Sequence, residues 1–352
     1  MSDKSYEVLV SSDSVIAQRT TGDRILTRQE FQNLANVPPV IAFIKNIACL
    51  QTQRSYLNDI RQFSEFEGIQ HPDEYRQVKR AHAIAWRDHL QSEGYIAKTK
   101  HGEEPIRKSY SATTIRRKLA ALSQLFNFYC NCNSVDFNPI AGITRPKHNR
   151  TEGKTPAISD EQMKQLLDAP PTDTLKGIRD RAIIATLGYH GLRRAEVVAL
   201  LVRQYSRRGG IKHFEVHGKG GKVRYVPVHQ GAQALIDSYL HKAGHQEELD
   251  EPLFRPITNN STAAGLRKPL NPNSIYSDVV MRYAREVGIT LDTHGFCVHS
   301  MRVTAATNAK EHGASRRQVQ QWLGHADPRT TELYLVDRQQ RAEESPSYKV
   351  QY

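Results

Sequence analysis

The sequence predicts a mainly α fold with a small β-sheet, divided into a helical N-terminal domain and a mixed α/β C-terminal domain. Three observations carry this. Apolar residues recur at three- and four-residue steps through most of the chain, the period of a helix packed on one side. One hairpin signal breaks that pattern: HFEVHGKGGKVRYVPVH, 213–229, has two strand-like runs around GKGG. The stretch RPKHNRTEGKTPA, 145–157, has almost no apolar residue but two prolines and a glycine, as linkers do. The length of 352 residues suits two domains of about 100–200 residues each.

Residues 1–38 are polar and weakly patterned, an extension with one short helix expected from Thr27. From Val40 a helical period begins, with Ile41, Ile44 and Ala48 on one face, then Tyr56, Ile60 and Phe63. A helix near 78–92 is expected to turn Ala81, Ala85 and Leu90 inward, and 94–110 reads as a mobile loop. Ser111 suits a helix N-cap, and Ile115, Leu119, Leu122, Phe126 and Tyr129 form a core stripe. The opposite face carries Arg116, Arg117 and Lys118. Residues 98–150 hold ten Lys/Arg against three Asp/Glu, which favours a phosphate-facing surface over a merely solvated one.

The second domain opens at Ser159, whose capping box is completed by Gln162, with Ile158 and Met163 as a hydrophobic staple. Helices are expected near 160–168 and 178–190, and from Arg194 after Gly191. Beyond the hairpin the chain is helical again, with loops at 250–272 and 288–298. Val319, Trp322 and Leu323 share a helix face, Gly324 ends that helix, and Asp327-Pro328 begins the next. The expected organisation is an extension over 1–38, a helical domain over 39–145, a linker over 146–157, a catalytic domain over 158–338 and a tail over 339–352.

Net charge is +12 and the pI near 9.5. Such a balance favours a polyanionic partner, nucleic acid before an anionic membrane. No apolar run approaches the roughly 20 residues of a membrane span, and the N-terminus lacks a signal-peptide pattern. Four cysteines, with Cys130 and Cys132 as a lone C-x-C, make neither a disulfide framework nor a zinc site, so a reducing cytoplasm is expected.

Four local signals then lie in order. GLRRAE carries Arg193 and Glu196. GKGGK carries Lys219. HSMR carries His299 and Arg302. GHADPRTTELY sets His325 nine residues before Tyr334. Each alone reads as a surface arginine, a turn lysine, a helix-face pair, a helix-end cation or a core aromatic. Together they are a cationic group with one nucleophile. Arginine forks match phosphate oxygens and stabilise charge in an in-line displacement. A tyrosine with a free pKa of about 10 needs a base and a positive field, which the group supplies. No carboxylate cluster suggests a magnesium site, so no metal or cofactor is expected.

That order resembles the tyrosine recombinases, the integrase family that includes Xer-type recombinases and phage integrases. GLRRAEV resembles the family's GLR-x-x-E box, HGKGGKVRYVPV its hairpin, HSMRVTAAT its H-x-x-R box and LGHADPRTTELY its LGH…Y box. SATTIRRKLAALSQLF resembles the last helices of the family's DNA-clamping N-terminal domain. The resemblance covers roughly residues 40–338. A departure is Val303, where relatives often carry a histidine nearby.

The resemblance implies Tyr334 as nucleophile, forming a 3′-phosphotyrosyl link. It implies Arg193 and Arg302 on the scissile phosphate, and Lys219 as general acid with Lys222 near enough to compete. His299 is then a base or phosphate donor, His325 a phosphate ligand and Glu196 an orienting residue. Arg116, Arg117, Lys118, Lys222, Arg316 and Arg317 are expected on DNA. The implied partners are double-stranded DNA with inverted-repeat core sites and a homo-tetramer, or a hetero-tetramer with a related recombinase. A C-shaped clamp of two domains, a Holliday-junction intermediate and a cytoplasmic, nucleoid-associated location belong to the same expectation. Tyr348 and Tyr352 are poorer nucleophiles because neither follows the LGH box at the right distance.

Two rival readings stand beside it. His294, His299 and His325 are a possible zinc trio, but a five-residue step does not keep two ligands on one helix face. AATNAKEHGASRRQVQQWLGH reads as a helix–turn–helix with Arg316 and Arg317 exposed, which suits a non-catalytic regulator equally well.

Overall fold

The structure is a computed structural model that describes residues 28–97, 106–147, 155–218, 221–257, 267–290 and 295–334. The side chains of Arg28, Phe31, Ala35, Ala97, Leu333 and Tyr334 lie outside that description. The chain divides into two compact units, Met1–Asn149 and Arg150–Tyr352.

The first unit is helical: α1 Arg28–Ala35, α2 Pro39–Asn46, α3 Leu50–Glu67, α4 Arg80–Ser92 and α5 Ala112–Asn131. Ser111 caps α5 by accepting the Thr114 N–H at 3.2 Å, and the stripe from Ile115 to Tyr129 is buried. The phase of α4 differs from the sequence expectation. Ala83, Trp86 and Leu90 face the core, while Ala81 and Ala85 are exposed. Trp86 is the largest apolar group on this helix. It packs edge-on to Phe63 at 6.0 Å and so sets the rotation.

Part of the expected loop at 94–110 is an antiparallel ribbon, β1 Tyr95–Ala97 against β2 Ile106–Lys108. Gly94 makes the entry possible. It sits at φ 65°, and a Cβ there would lie 2.2 Å from the Lys108 carbonyl oxygen.

The second unit is built on α7 Leu175–His190, which is buried along most of its length and is the core helix. Before it comes α6 Asp160–Asp168, begun by the Ser159–Gln162 capping box. After it come α8 Arg194–Ala199 and an antiparallel three-stranded meander, β3 Tyr205–Arg208, β4 Ile211–His217 and β5 Val223–Pro227. Strand β3 is an addition to the hairpin expected from sequence. Residues Phe214, Val216 and Val226 point inward, as a period of two requires. Then follow α9 Gln230–Ala243, a π-helical turn Ile275–Val280, α10 Met281–Glu286, α11 Val298–Glu311, α12 Arg316–Leu323 and α13 Pro328–Tyr334.

Candidate active site

The site forms where three helix ends meet. Gly191 closes α7 in the left-handed region at φ 57°. A Cβ there would meet Leu323 Cδ2 at 2.8 Å, so only glycine lets this turn pass the end of α12. The turn delivers Arg193 to the N-cap of α8. The Arg193 backbone N–H donates to Glu196 Oε2 at 2.8 Å and its Nη1 donates to Oε1 at 2.7 Å. The Arg193 side chain stays 43% exposed, which leaves much of its fork open to a ligand.

Helix α12 ends in a glycine turn at Gly324, φ 68°. The Gly324 N–H reaches the Gln321 carbonyl at 3.0 Å and the His325 N–H reaches the Gln320 carbonyl at 3.1 Å. This is a Schellman motif, and it fixes the position of His325. The last carbonyls of α12 are taken by two arginines. Arg302 Nη2 donates to Leu323 O at 2.6 Å and Arg224 Nε donates to Trp322 O at 3.3 Å. Both charges sit at the negative end of the helix dipole.

Arg302, on α11, is only 1% exposed and is the largest fully buried side chain among the described residues. It also donates to the Gly191 carbonyl and, at 2.9 Å, to His325 Nε2. Arginine has no acceptor, so that contact assigns Nε2 as the lone-pair nitrogen and puts the His325 proton on Nδ1. Nδ1 in turn faces Thr331 Oγ1 at 3.0 Å. Burial, then Arg302, Arg193, His299 and Arg224, push the His325 pKa down to about 4. The imidazole is neutral at pH 7.

His299 is exposed one turn before Arg302. The protein around it still removes enough water, and Arg302 and Arg193 add enough positive charge, to lower its pKa. Burial alone would raise the pKa of Glu196. Its bonds to Arg224 and Arg193 overcome that and hold it at about 2. Two guanidiniums thus share one carboxylate while Arg302 adds a third beside His325, and the site keeps an excess of positive charge. It is built to bind and stabilise an anion.

The structure brings together Arg193, Glu196, His299, Arg302 and His325. Tyr334 ends α13, which begins three residues after His325. Asp327 Oδ1 accepts the Arg329 N–H at 3.0 Å and starts that helix. Lys219 lies outside the described residues, as do His294, Tyr348 and Tyr352. Lys222 is exposed at the hairpin, where its carbonyl accepts the Gly218 N–H at 2.7 Å. Arg316 and Arg317 are exposed, with Arg316 3.7 Å from Glu332. Among the described residues no group of three or more His, Cys, Asp or Glu could hold a metal ion.

Among the expected DNA-facing residues, one expectation fails. Lys118 does not face outward with Arg116 and Arg117. It is 2% exposed, 3.2 Å from the buried Asp59 carboxylate, and also bonds Gln62. Arg117 forks onto the same carboxylate, and Arg116 donates to the Pro146 carbonyl at 3.2 Å. A buried carboxylate demands a cation, and this demand turns Lys118 inward.

One residue was missed in sequence. Arg224 lies on the inward face of β5, between two core-facing valines in register, Val216 opposite and Val226 beyond. An arginine in the inward phase of a strand is the signal that would have found it.

The family model described as "Phage integrase family" matches residues 156–341. The tyrosine recombinase XerC of Pelobacter propionicus is 33% identical over 284 residues, 80% of this chain and 83% of that protein. The fold is that of the XerH site-specific recombinase in its post-cleavage complex with palindromic difH substrate: TM-score 0.62, 19% identity, 98% of this chain and 95% of that one. A lambda integrase tetramer bound to a Holliday junction gives TM-score 0.58 at 14% identity, over 96% of this chain and 87% of that one. With the arginines, histidines and tyrosine helix arranged as above, the chain belongs to the phage integrase family and is a tyrosine recombinase, an enzyme that cuts and rejoins DNA through a tyrosine.

Proposed function

We propose that this chain performs site-specific recombination by transferring a DNA phosphodiester to Tyr334. The observation that carries the reading is one of order in space. The helix ending at Tyr334 follows directly on the turn where Arg302 and His325 meet.

In the proposed step the Tyr334 hydroxyl oxygen attacks phosphorus in line. The Tyr–O–P bond forms and the bond to the 5′-oxygen breaks, leaving a 3′-phosphotyrosyl link. Lys219 protonates the departing 5′-oxygen, with Lys222 the next candidate. The tyrosine proton passes to His299, which a lowered pKa keeps unprotonated near pH 7 with a lone pair to receive it. Arg193 and Arg302 hold the non-bridging oxygens as charge gathers on them. When the phosphate draws the Arg302 N–H away from His325 Nε2, its charge raises the His325 pKa, and Nε2, protonated from solvent, donates to the phosphate. Glu196 keeps Arg193 aimed. Side chains supply all the charge, so no metal is needed. Helix α13 is docked on its own chain through Thr331, which favours delivery of Tyr334 in cis.

The DNA is double-stranded with inverted-repeat core sites. Residues 39–145 contact it through Arg116 and Arg117, and the catalytic unit through Lys222, Arg316 and Arg317. Four copies, or two pairs with a related recombinase, assemble on two such sites and exchange strands through a Holliday junction. The neighbour that is a tetramer on a junction supports this. So does an open apolar groove of about 690 Å³ lined by Met163, Leu167, Ala305, Ala309, Val319 and Trp322. Its proposed occupant is the tail at 339–352 of an adjacent subunit, which resembles family tails that dock on a neighbour. The setting is the bacterial cytoplasm, at the nucleoid.

Covalent capture on a nicked DNA substrate tests the reading. Wild-type protein should form an SDS-stable adduct in the presence of EDTA, and Tyr334→Phe should form none. DNA binding without an adduct would leave a non-catalytic regulator instead.

A further inference from the structure

Arg224 lies in the hairpin motif, which gives it no role, yet it reaches the elements that carry two of the other motifs, α8 and the end of α12. It sits two residues after Lys222, at the start of the strand leaving the hairpin tip. Its Nη1 and Nη2 donate to Glu196 Oε1 and Oε2 at 3.0 and 2.8 Å, a bidentate fork onto the α8 carboxylate. Its Nε donates to the Trp322 carbonyl at the end of α12. Its shaft passes under Gly324, where a Cβ would come 3.1 Å from Arg224 Cδ and 3.3 Å from Nε. Its side chain is 16% exposed and that of Glu196 is 6% exposed, so the pair is shielded from water.

A buried carboxylate needs its lone pairs filled. In this site two arginines compete to fill them. Because Arg224 takes both oxygens of Glu196 from one side, Arg193 contributes a single side-chain bond and keeps the rest of its fork outside. Without Arg224, Glu196 would draw the whole Arg193 fork inward to satisfy itself. The residue that decides how much of Arg193 faces the phosphate is therefore Arg224.

We propose that Arg224 is a positioning residue of the recombinase: by saturating Glu196 it releases the Arg193 fork for the scissile phosphate, and through Trp322 it fixes the α12 end that holds His325. It does not touch DNA. The inference rests on the reading of Tyr334 as nucleophile and Arg193 as phosphate ligand.

The test is single-turnover adduct formation on a nicked substrate, with DNA affinity and thermal melting measured on the same proteins. Arg224→Met should slow cleavage by about 10- to 100-fold, the loss expected when one charged contact to a transition state goes. Its DNA affinity should change by less than about threefold, because the phosphate contacts that dominate binding lie elsewhere. Arg224→Lys keeps the charge but not the fork and should fall between.

The decisive measurement is the double variant Arg224→Met, Glu196→Gln. A neutral amide no longer draws Arg193 inward, so the double variant should cleave faster than Arg224→Met alone. A merely structural arginine would give the opposite, with two losses that add. Unchanged cleavage in Arg224→Met, or a double variant slower than the single, would overturn the proposal. If Arg224→Met melts too early to assay, Arg224→Lys paired with Glu196→Gln carries the same comparison. Absence of any Tyr334-dependent adduct in the wild type would instead remove the reading on which it rests.

Discussion

The His325 ring and the Thr331 hydroxyl are 3.0 Å apart, and Thr331 is 3% exposed. This bond ties the turn holding the Arg302–His325 pair to the helix that ends at Tyr334. Replacing Thr331 with Val keeps the volume and strands the Nδ1 proton, a loss of about 1–3 kcal/mol for a buried donor. Thr331→Val is expected to slow adduct formation about tenfold or more, with DNA affinity nearly unchanged. Thr331→Ser should recover most of the rate in the same assay.

His190 supports a pH prediction. Its Nδ1 faces the Thr186 carbonyl at 3.1 Å and its Nε2 accepts the His229 N–H at 2.9 Å, so it is held neutral. Burial pushes its pKa down to about 4. The unfolded chain takes a proton near pH 6.5 and the folded one only near 4. Stability is therefore fully present above about pH 6.5 and declines as pH falls towards 4, by on the order of 3 kcal/mol for this group. His325 acts in the same direction. Denaturant unfolding at a series of pH values should show the decline. His190→Gln should flatten it, while lowering stability at pH 7.

Asp59 holds the first unit together at one point. It is fully buried and is shared by Lys118 and Arg117. Asp59→Asn leaves Lys118 buried without a counterion, which is expected to destabilise this unit by about 3–5 kcal/mol. Urea unfolding followed through Trp86 reports it. Adding Lys118→Met should return much of the loss, because an apolar pair is often as stable as the ion pair it replaces.

Gly191 tests the turn. Gly191→Ala meets both the left-handed backbone and Leu323, so it should shift Arg193 and the carbonyl that receives Arg302 together. Adduct formation should drop by more than stability alone explains, measured at a temperature where the variant is still folded.

Much of this molecule is local and was legible in the chain. The Ser159–Gln162 box, the Ser111 cap, the Gly324 stop and the Asp327-Pro328 start each depend on residues within about five positions of one another. So does the stripe from Ile115 to Tyr129. Local hydrogen bonds and helical periodicity act over that range, and a sequence displays them directly. The ordered set Arg193, His299, Arg302, His325 and Tyr334 stands out in the chain for a different reason: the reaction proposed above calls for those groups, and few other demands would space them so. What packing decided lies at long range. Lys118 turned inward because Asp59, 59 residues earlier, is buried and needs a cation. Trp86 rather than Ala81 and Ala85 set the phase of α4, because Phe63 was there to receive it. Arg224 reached Glu196 across 28 residues and Trp322 across 98. A side chain's period says which face it is on; only the folded neighbours say which charge must be neutralised there, and that choice made Arg224 part of the site.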